Sequence, residues 1–121
     1  MKNSIIGKVV KVTIDRPLGS YHPEHNDLYY PINYGYVEGI IAHDGEEQDA
    51  YVLGVNEPLS HFEGMVIAVI QRLDDVEDKW VVAPFGYEYT EEDIRKAVEF
   101  QEKYFKSQIF YKNNQKNLKF F

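Results

Sequence analysis

Asp44, Glu46, Glu47 and Asp49 fall within six residues of one another, and Asp74, Asp75, Glu77 and Asp78 within five. Eight of the 20 acids thus occupy eleven positions, and each cluster stands at the end of an apolar, β-rich stretch. Turns attract Asp and Glu for local backbone reasons, which accounts for either cluster singly but less well for the pair. Asp49 also opens the run Asp49-Ala50-Tyr51-Val52-Leu53, and a carboxylate at the mouth of a buried strand needs a cation or donors nearby. Converging carboxylates repel one another, and the ions that relieve this are hard and oxygen-seeking: Mg2+, Mn2+ or Ca2+. The segment Asp44-Gly45-Glu46-Glu47-Gln48-Asp49 is not an EF-hand loop, because glycine stands second and no helix pair flanks it.

Magnesium held by few carboxylates and many waters usually serves a phosphate ligand, so cations and hydroxyls are the next requirement. Lys79 follows the second acidic cluster, Arg16 leads the turn Pro17-Leu18-Gly19-Ser20, and Tyr30, Tyr34 and Tyr36 crowd one short stretch. Lys, Arg and Tyr supply the donors that phosphoryl oxygens take. Taken singly, the tyrosines fit strand packing and Lys79 a solvated edge charge. His22 and His25, with Glu24 and Asp27 close by, raise zinc, but a Pro-containing loop lacks the ligand number and spacing of a zinc site. His43 and His61 suit turns. There is no P-loop, no Gly-x-Gly-x-x-Gly and no Gly-x-Ser-x-Gly, so motor, dinucleotide and serine-hydrolase chemistries have no support. With no cysteine, thiolate nucleophiles and Cys-ligated metals are excluded as well, and hydrolysis would run through metal-activated water.

These groups must be positioned by a small scaffold. The 121 residues suit one domain over 1–121, and 44% hydrophobic residues suffice for a core. A net charge of −7 argues against a nucleic-acid or anionic-membrane binder. No apolar run approaches a membrane span or a cleaved leader, so the chain is read as cytoplasmic and soluble. Alternation predicts five strands, over Lys8–Ile14, Tyr34–Ala42, Ala50–Val55, Met65–Leu73 and Trp80–Ala83, separated by Gly, Pro, Asn and Asp turns. The period then changes. Thr90 with Glu91, Glu92 and Asp93 offers an N-cap with an acidic first turn, and Ile94, Ala97, Val98, Gln101, Tyr104 and Phe105 recur at helical spacing, which predicts one helix over Thr90–Lys106. The polar tail from Lys112 is expected to fray unless Phe120 and Phe121 dock.

Tyr30-Pro31-Ile32-Asn33-Tyr34-Gly35-Tyr36, the Asp44 to Asp49 segment, Asp74 to Lys79, and Val81-Val82-Ala83-Pro84 together resemble the soluble family I inorganic pyrophosphatases, in order and approximate spacing. The likeness covers about Val9 to Phe105. It implies a mainly β, α+β fold: an OB-like, twisted five-stranded barrel with a C-terminal helix packed outside. It implies Mg2+-dependent cleavage of pyrophosphate to two phosphates, with Mn2+ as the alternative ion, and a homo-oligomer. By position, Asp44, Asp49, Asp74 and Glu77 match metal-binding carboxylates, Asp49 between two metals. Glu46 matches the acid that helps deprotonate the attacking water, and Tyr34, Lys79 and Tyr104 match phosphate-binding positions.

The chain also departs from the family. Glu46 and Glu77 stand where Asp is usual, and the Tyr-Lys pair expected on the helix reads Tyr104-Phe105, with Lys106 one place late. The N-terminal part that supplies further cations is shortened, and Arg16 and His22 are the residues placed to replace that charge. Two alternatives follow from the altered cationic wall: hydrolysis of another phosphoanhydride, such as a nucleotide-linked diphosphate, or a metal- and phosphate-binding module without turnover.

Overall fold

The computed structural model describes residues 2–74 and 77–111. Asp75 of the second acidic cluster and the tail from Lys112 lie outside the described residues. After a 3-10 turn at Lys2–Ile5, the chain runs through β1 (Val9–Arg16), β2 (Asn33–Ile41), β3 (Glu47–Val52), β4 (His61–Arg72), β5 (Asp78–Ala83), α1 (Glu91–Glu102) and β6 (Ser107–Tyr111). Neighbouring strands follow the order β1-β2-β3-β5-β4, and β4 returns to β1, which closes a five-stranded barrel. All of these pairings are antiparallel except that of β3 with β5.

The closing strand β4 is long enough to serve two partners on one edge. Its first half, His61 to Met65, pairs with β1, and its second half, Ala68 to Arg72, pairs with β6. Among the described residues β6 is the strand that sequence patterning does not anticipate. It also shortens the helix: α1 ends at Glu102 instead of continuing to Lys106, because Lys106 is drawn beside β4, its carbonyl accepting from Leu73 N–H at 2.7 Å. Ile109 is then buried against the helix side of the sheet.

Two apolar clusters follow from the period-two alternation. Val12, Val37, Ala50, Val52, Val66 and Val82 fill the barrel, while Tyr34, Tyr51, Leu53, Ala68, Ile70, Val81 and Ala83 face outward against Ile94 and Val98 of α1. The later parts of β3 and β5, residues 50–52 and 80–83, are therefore covered on both faces, which explains their unbroken apolar character. Burying Ile94 and Val98 stabilises the docked helix by about 1.5–3 kcal/mol each. The helix starts where the capping box closes: Asp93 N–H donates to Thr90 Oγ1 at 3.1 Å and Thr90 N–H to Asp93 Oδ2 at 3.0 Å.

Irregularities in two strands decide what faces the helix side. In β1 the register breaks at Asp15, so that Ile14 pairs with Gly35 while Arg16 pairs with Tyr34. Plain alternation would put Arg16 on the same face as Ile14, inside the barrel; the bulge turns it outward beside Tyr34. In β4 the register breaks between Val66 and Ala68, and Ala68, Ile70 and Arg72 consequently share the outer face with Lys79 and Val81. Gly35 permits the tight β1–β2 approach, because a side chain there would overlap the Thr13 carbonyl oxygen.

Candidate active site

The outer face of the barrel, beneath the C-terminal end of α1, carries a chain of polar side chains. Lys79 on β5 is buried, and its Nζ donates to Asp49 Oδ2 at 2.5 Å, to Glu77 Oε2 at 2.5 Å and to Tyr34 Oη at 2.8 Å. Parallel pairing of Ala50 with Trp80 sets Asp49 and Lys79 next to each other at the starts of β3 and β5. The Tyr34 hydroxyl also donates to Asp49 Oδ2, at 2.9 Å. Burial, followed by the charge of Asp49, pushes the Tyr34 hydroxyl well above its ordinary value, so it stays a donor.

Glu77 leads on to Arg72, whose Nη1 donates to Glu77 Oε1 at 3.2 Å. Arg72 is buried at 5% exposure and is held bidentately by Glu102, Nε to Oε1 at 3.1 Å and Nη2 to Oε2 at 2.8 Å. Its guanidinium carbon lies 3.6 Å from the centroid of the Phe105 ring. Desolvation works against this charge, but the hydrogen bonds and charge of Glu102 outweigh it and the net direction is upward. From Glu102 the chain continues through the Tyr51 hydroxyl at 2.6 Å and the Gln101 amide at 2.8 Å to the Tyr30 hydroxyl at 2.9 Å, and ends at Arg16 Nη1, 3.0 Å from Tyr30 Oη. Among the described residues no buried side-chain polar atom lacks a partner.

A cavity of about 530 Å3 opens over this chain. Arg16, Tyr34, Asp49, Arg72, Lys79 and Tyr104 line it, and so do His22, His25 and Asp27 of the loop between β1 and β2. The His22 and His25 rings lie 4.7 Å apart, and His22 Nδ1 accepts from the Glu24 N–H at 3.0 Å. Partial desolvation, then the neighbouring charges of Arg16 and His25, hold His22 below its ordinary value. At the β1 bulge, partial desolvation raises the Asp15 carboxyl, with Asp49 adding to the shift and Arg16 opposing it. A larger cavity of about 700 Å3 lies between α1 and β6, but its Arg95 and Lys96 are paired with Glu91 and Glu92 and the chain described above does not open into it as a group.

Of the residues singled out from the sequence, the structure brings Tyr34, Asp49, Glu77 and Lys79 into direct contact and places Arg16 and Tyr104 on the wall of the same cavity. It does not bring Asp44, Glu46 or Asp74 into that contact set. Asp44 Oδ1 accepts from the Glu46 N–H at 3.0 Å within the β2–β3 turn, where the Glu46 side chain is exposed, and Asp74 Oδ2 accepts from the Lys106 N–H at 3.2 Å. Both turns nevertheless lie at the barrel end where β3 and β5 begin, the end that carries Asp49 and Lys79. Sequence reasoning did not single out Arg72, Gln101, Glu102 or Tyr51. Their signal is faint: Gln101 stands at a core-facing helical position, where a polar residue marks a buried hydrogen-bond partner.

The sequence matches the family model for inorganic pyrophosphatase over residues 6–119. No curated protein sequence matches. The fold is similar to that of an inorganic pyrophosphatase from Neisseria gonorrhoeae, with a TM-score of 0.67 at 19% identity over 96% of this chain and 93% of that one. It is also similar to one from Ehrlichia chaffeensis, with a TM-score of 0.68 at 18% identity over 93% and 92%. A third, from Helicobacter pylori, has a TM-score of 0.65 at 19% identity over 92% and 89%.

Proposed function

The chain belongs to the inorganic pyrophosphatase family, a family of diphosphatase enzymes, and from that premise we propose that it hydrolyses pyrophosphate to two phosphates with the help of Mg2+. The observation that carries this reading is the Lys79 ammonium held between Asp49 and Glu77, with the Tyr34 hydroxyl on the same atom, in a cavity that Arg16 and Arg72 also line. Carboxylates are the donors a hard cation takes, and cationic and hydroxyl donors are those a phosphate takes. Here the two sets are interleaved.

The donor chemistry fits a magnesium ion. Among the described residues no three His, Asp or Glu side chains gather as a ready ligand set. Asp49 and Glu77, 32% and 24% exposed, are two carboxylates that share one counter-charge, and magnesium is commonly held by one or two carboxylates with water and substrate oxygens completing the shell. We assign Asp44 and Asp74 to the same ion or a neighbouring one, and Glu46 to the attacking water. Their turns support this by lying at the same end of the barrel. When bound, the ion supplies an acidified water and positive charge against the phosphates. The chain's own part is positioning and charge: Tyr34 donates, Lys79 and Arg16 offset the anion, and Tyr104 closes one wall. No covalent intermediate is required. A cytoplasmic setting and self-association belong to the same proposal.

Phosphate release from pyrophosphate, measured with Mg2+ and with EDTA and with Asp49→Asn as the contamination control, tests the reading. Release that needs the ion and disappears in the variant is expected. Release from a nucleotide-linked diphosphate but not from pyrophosphate would move the substrate class, and cation-dependent stabilisation without any turnover would leave only a binding module.

A further inference from the structure

The cations of this site are not equally available to an anion. An ammonium has three N–H donors, and those of Lys79 are matched by Tyr34, Asp49 and Glu77. A phosphate can reach Lys79 only by displacing one of them. A guanidinium has five donors, and among the described residues Arg72 uses three: Nε and one on Nη2 toward Glu102, and one on Nη1 toward Glu77. One N–H on each Nη nitrogen is left, on a side chain that lines the cavity.

We propose that Arg72 is a substrate-binding residue of this site, taking a phosphate oxygen on the two Nη donors that Glu77 and Glu102 leave open. Its place is fixed before any ligand arrives. Glu102 grips it on one edge, the guanidinium carbon sits over the Phe105 ring, and the β4 bulge sets its strand face. A cation held in this way loses little conformational freedom on binding, which favours affinity. It also supplies positive charge at position 105, where the helix carries phenylalanine. The inference rests on the reading of this cavity as a phosphate site.

Calorimetric titration with imidodiphosphate in the presence of Mg2+, and separately with inorganic phosphate, tests the assignment on the full chain. Arg72→Lys keeps the charge and loses the fork; Arg72→Met combined with Glu102→Met removes the buried pair together, so that no lone charge is left to unfold the protein. Affinity is expected to fall tenfold or more in the double variant and by less in Arg72→Lys, at unchanged far-UV circular dichroism. Affinity within twofold of the original chain in the folded double variant would overturn the assignment, as would an original chain that binds neither anion. If the original chain binds phosphate without cleaving pyrophosphate, the hydrolase reading fails by itself, and the assignment of Arg72 stands or falls on the loss of phosphate affinity.

Discussion

Lys79 Nζ lies 2.5 Å from Asp49 Oδ2, and the parallel pairing of β3 with β5 is what sets the two residues together. The lysine is 3% exposed, whereas the aspartate is partly open to the cavity. A buried ammonium with two carboxylates and a tyrosine hydroxyl on it is satisfied in the ground state, yet each of its partners can be drawn away by a competing cation or anion. The site is thus a set of charges that compensate one another until a ligand arrives.

Lys79→Met should leave Asp49 and Glu77 facing each other without their shared counter-charge. Because both acids keep some solvent, the cost should fall at or below the lower end of the ~3–5 kcal/mol of a broken buried pair. Urea unfolding would measure it, and turnover should drop at least 100-fold. A variant as stable and as active as the original chain would remove Lys79 from the site.

Asp49→Asn keeps the size of the side chain and removes its charge. It should abolish turnover and, with it, the rise in Tm that Mg2+ produces, since a ligand bound only to the folded state stabilises by mass action. Unlike an acid on a bare turn, Asp49 also accepts from Lys79 and Tyr34, so the variant should be destabilised in EDTA as well, by about 1–3 kcal/mol for a charged hydrogen-bond partner lost. An unchanged Mg2+ response would place the cation elsewhere.

Gly35→Ala should be among the most damaging single substitutions in β2. The added carbon would overlap the Thr13 carbonyl oxygen, which is backbone and cannot swing aside. Overpacking of this kind costs about 1–3 kcal/mol, and more where nothing can relax. Since Gly35 lies between Tyr34 and Tyr36 and pairs with Ile14 next to the Asp15 bulge, the same strain should shift Arg16 and Tyr34, so activity should fall beyond what the lost stability explains. Thermal unfolding compared with turnover at low temperature separates the two effects.

The strands were legible because alternation reports directly on faces: Val12 and Ile14 in β1 share the inner face, and Tyr51 in β3 sorts onto the side opposite to Ala50 and Val52, as their spacing implies. The helix start was equally legible in Thr90 and Asp93, whose capping box is local chemistry. The bulges were not. Nothing in the run Ile14-Asp15-Arg16 or Val66-Ile67-Ala68 shows that an extra residue will be inserted, yet that insertion aims Arg16 and Arg72 at the cavity. Strand β6 was hidden for a related reason, because its pairing with β4 depends on how far β4 extends past β1. Tyr34, Asp49 and Lys79 stood out by type and neighbourhood, whereas Glu102 resembled an ordinary helix-surface residue and Gln101, though on the core-facing stripe, had no visible partner until the sheet beneath them was known.

His22 gives the fold a pH dependence with a definite sign. His22 is held below its ordinary value of 6.5 by desolvation and then by Arg16 and His25, with Glu24 opposing. Between that lowered value and 6.5 the unfolded chain binds more protons than the folded one, so stability rises with pH across the window and is lost as pH falls through it. His22→Gln should flatten the Tm profile just below the ordinary histidine value of 6.5, and equal slopes in the two proteins would show that the loop does not hold His22 as the structure has it. Inorganic phosphate should act in the opposite direction to the folded environment. An anion in the cavity beside Arg16 and His22 favours the imidazolium, so adding phosphate should weaken the pH dependence of the original chain and leave His22→Gln unaffected.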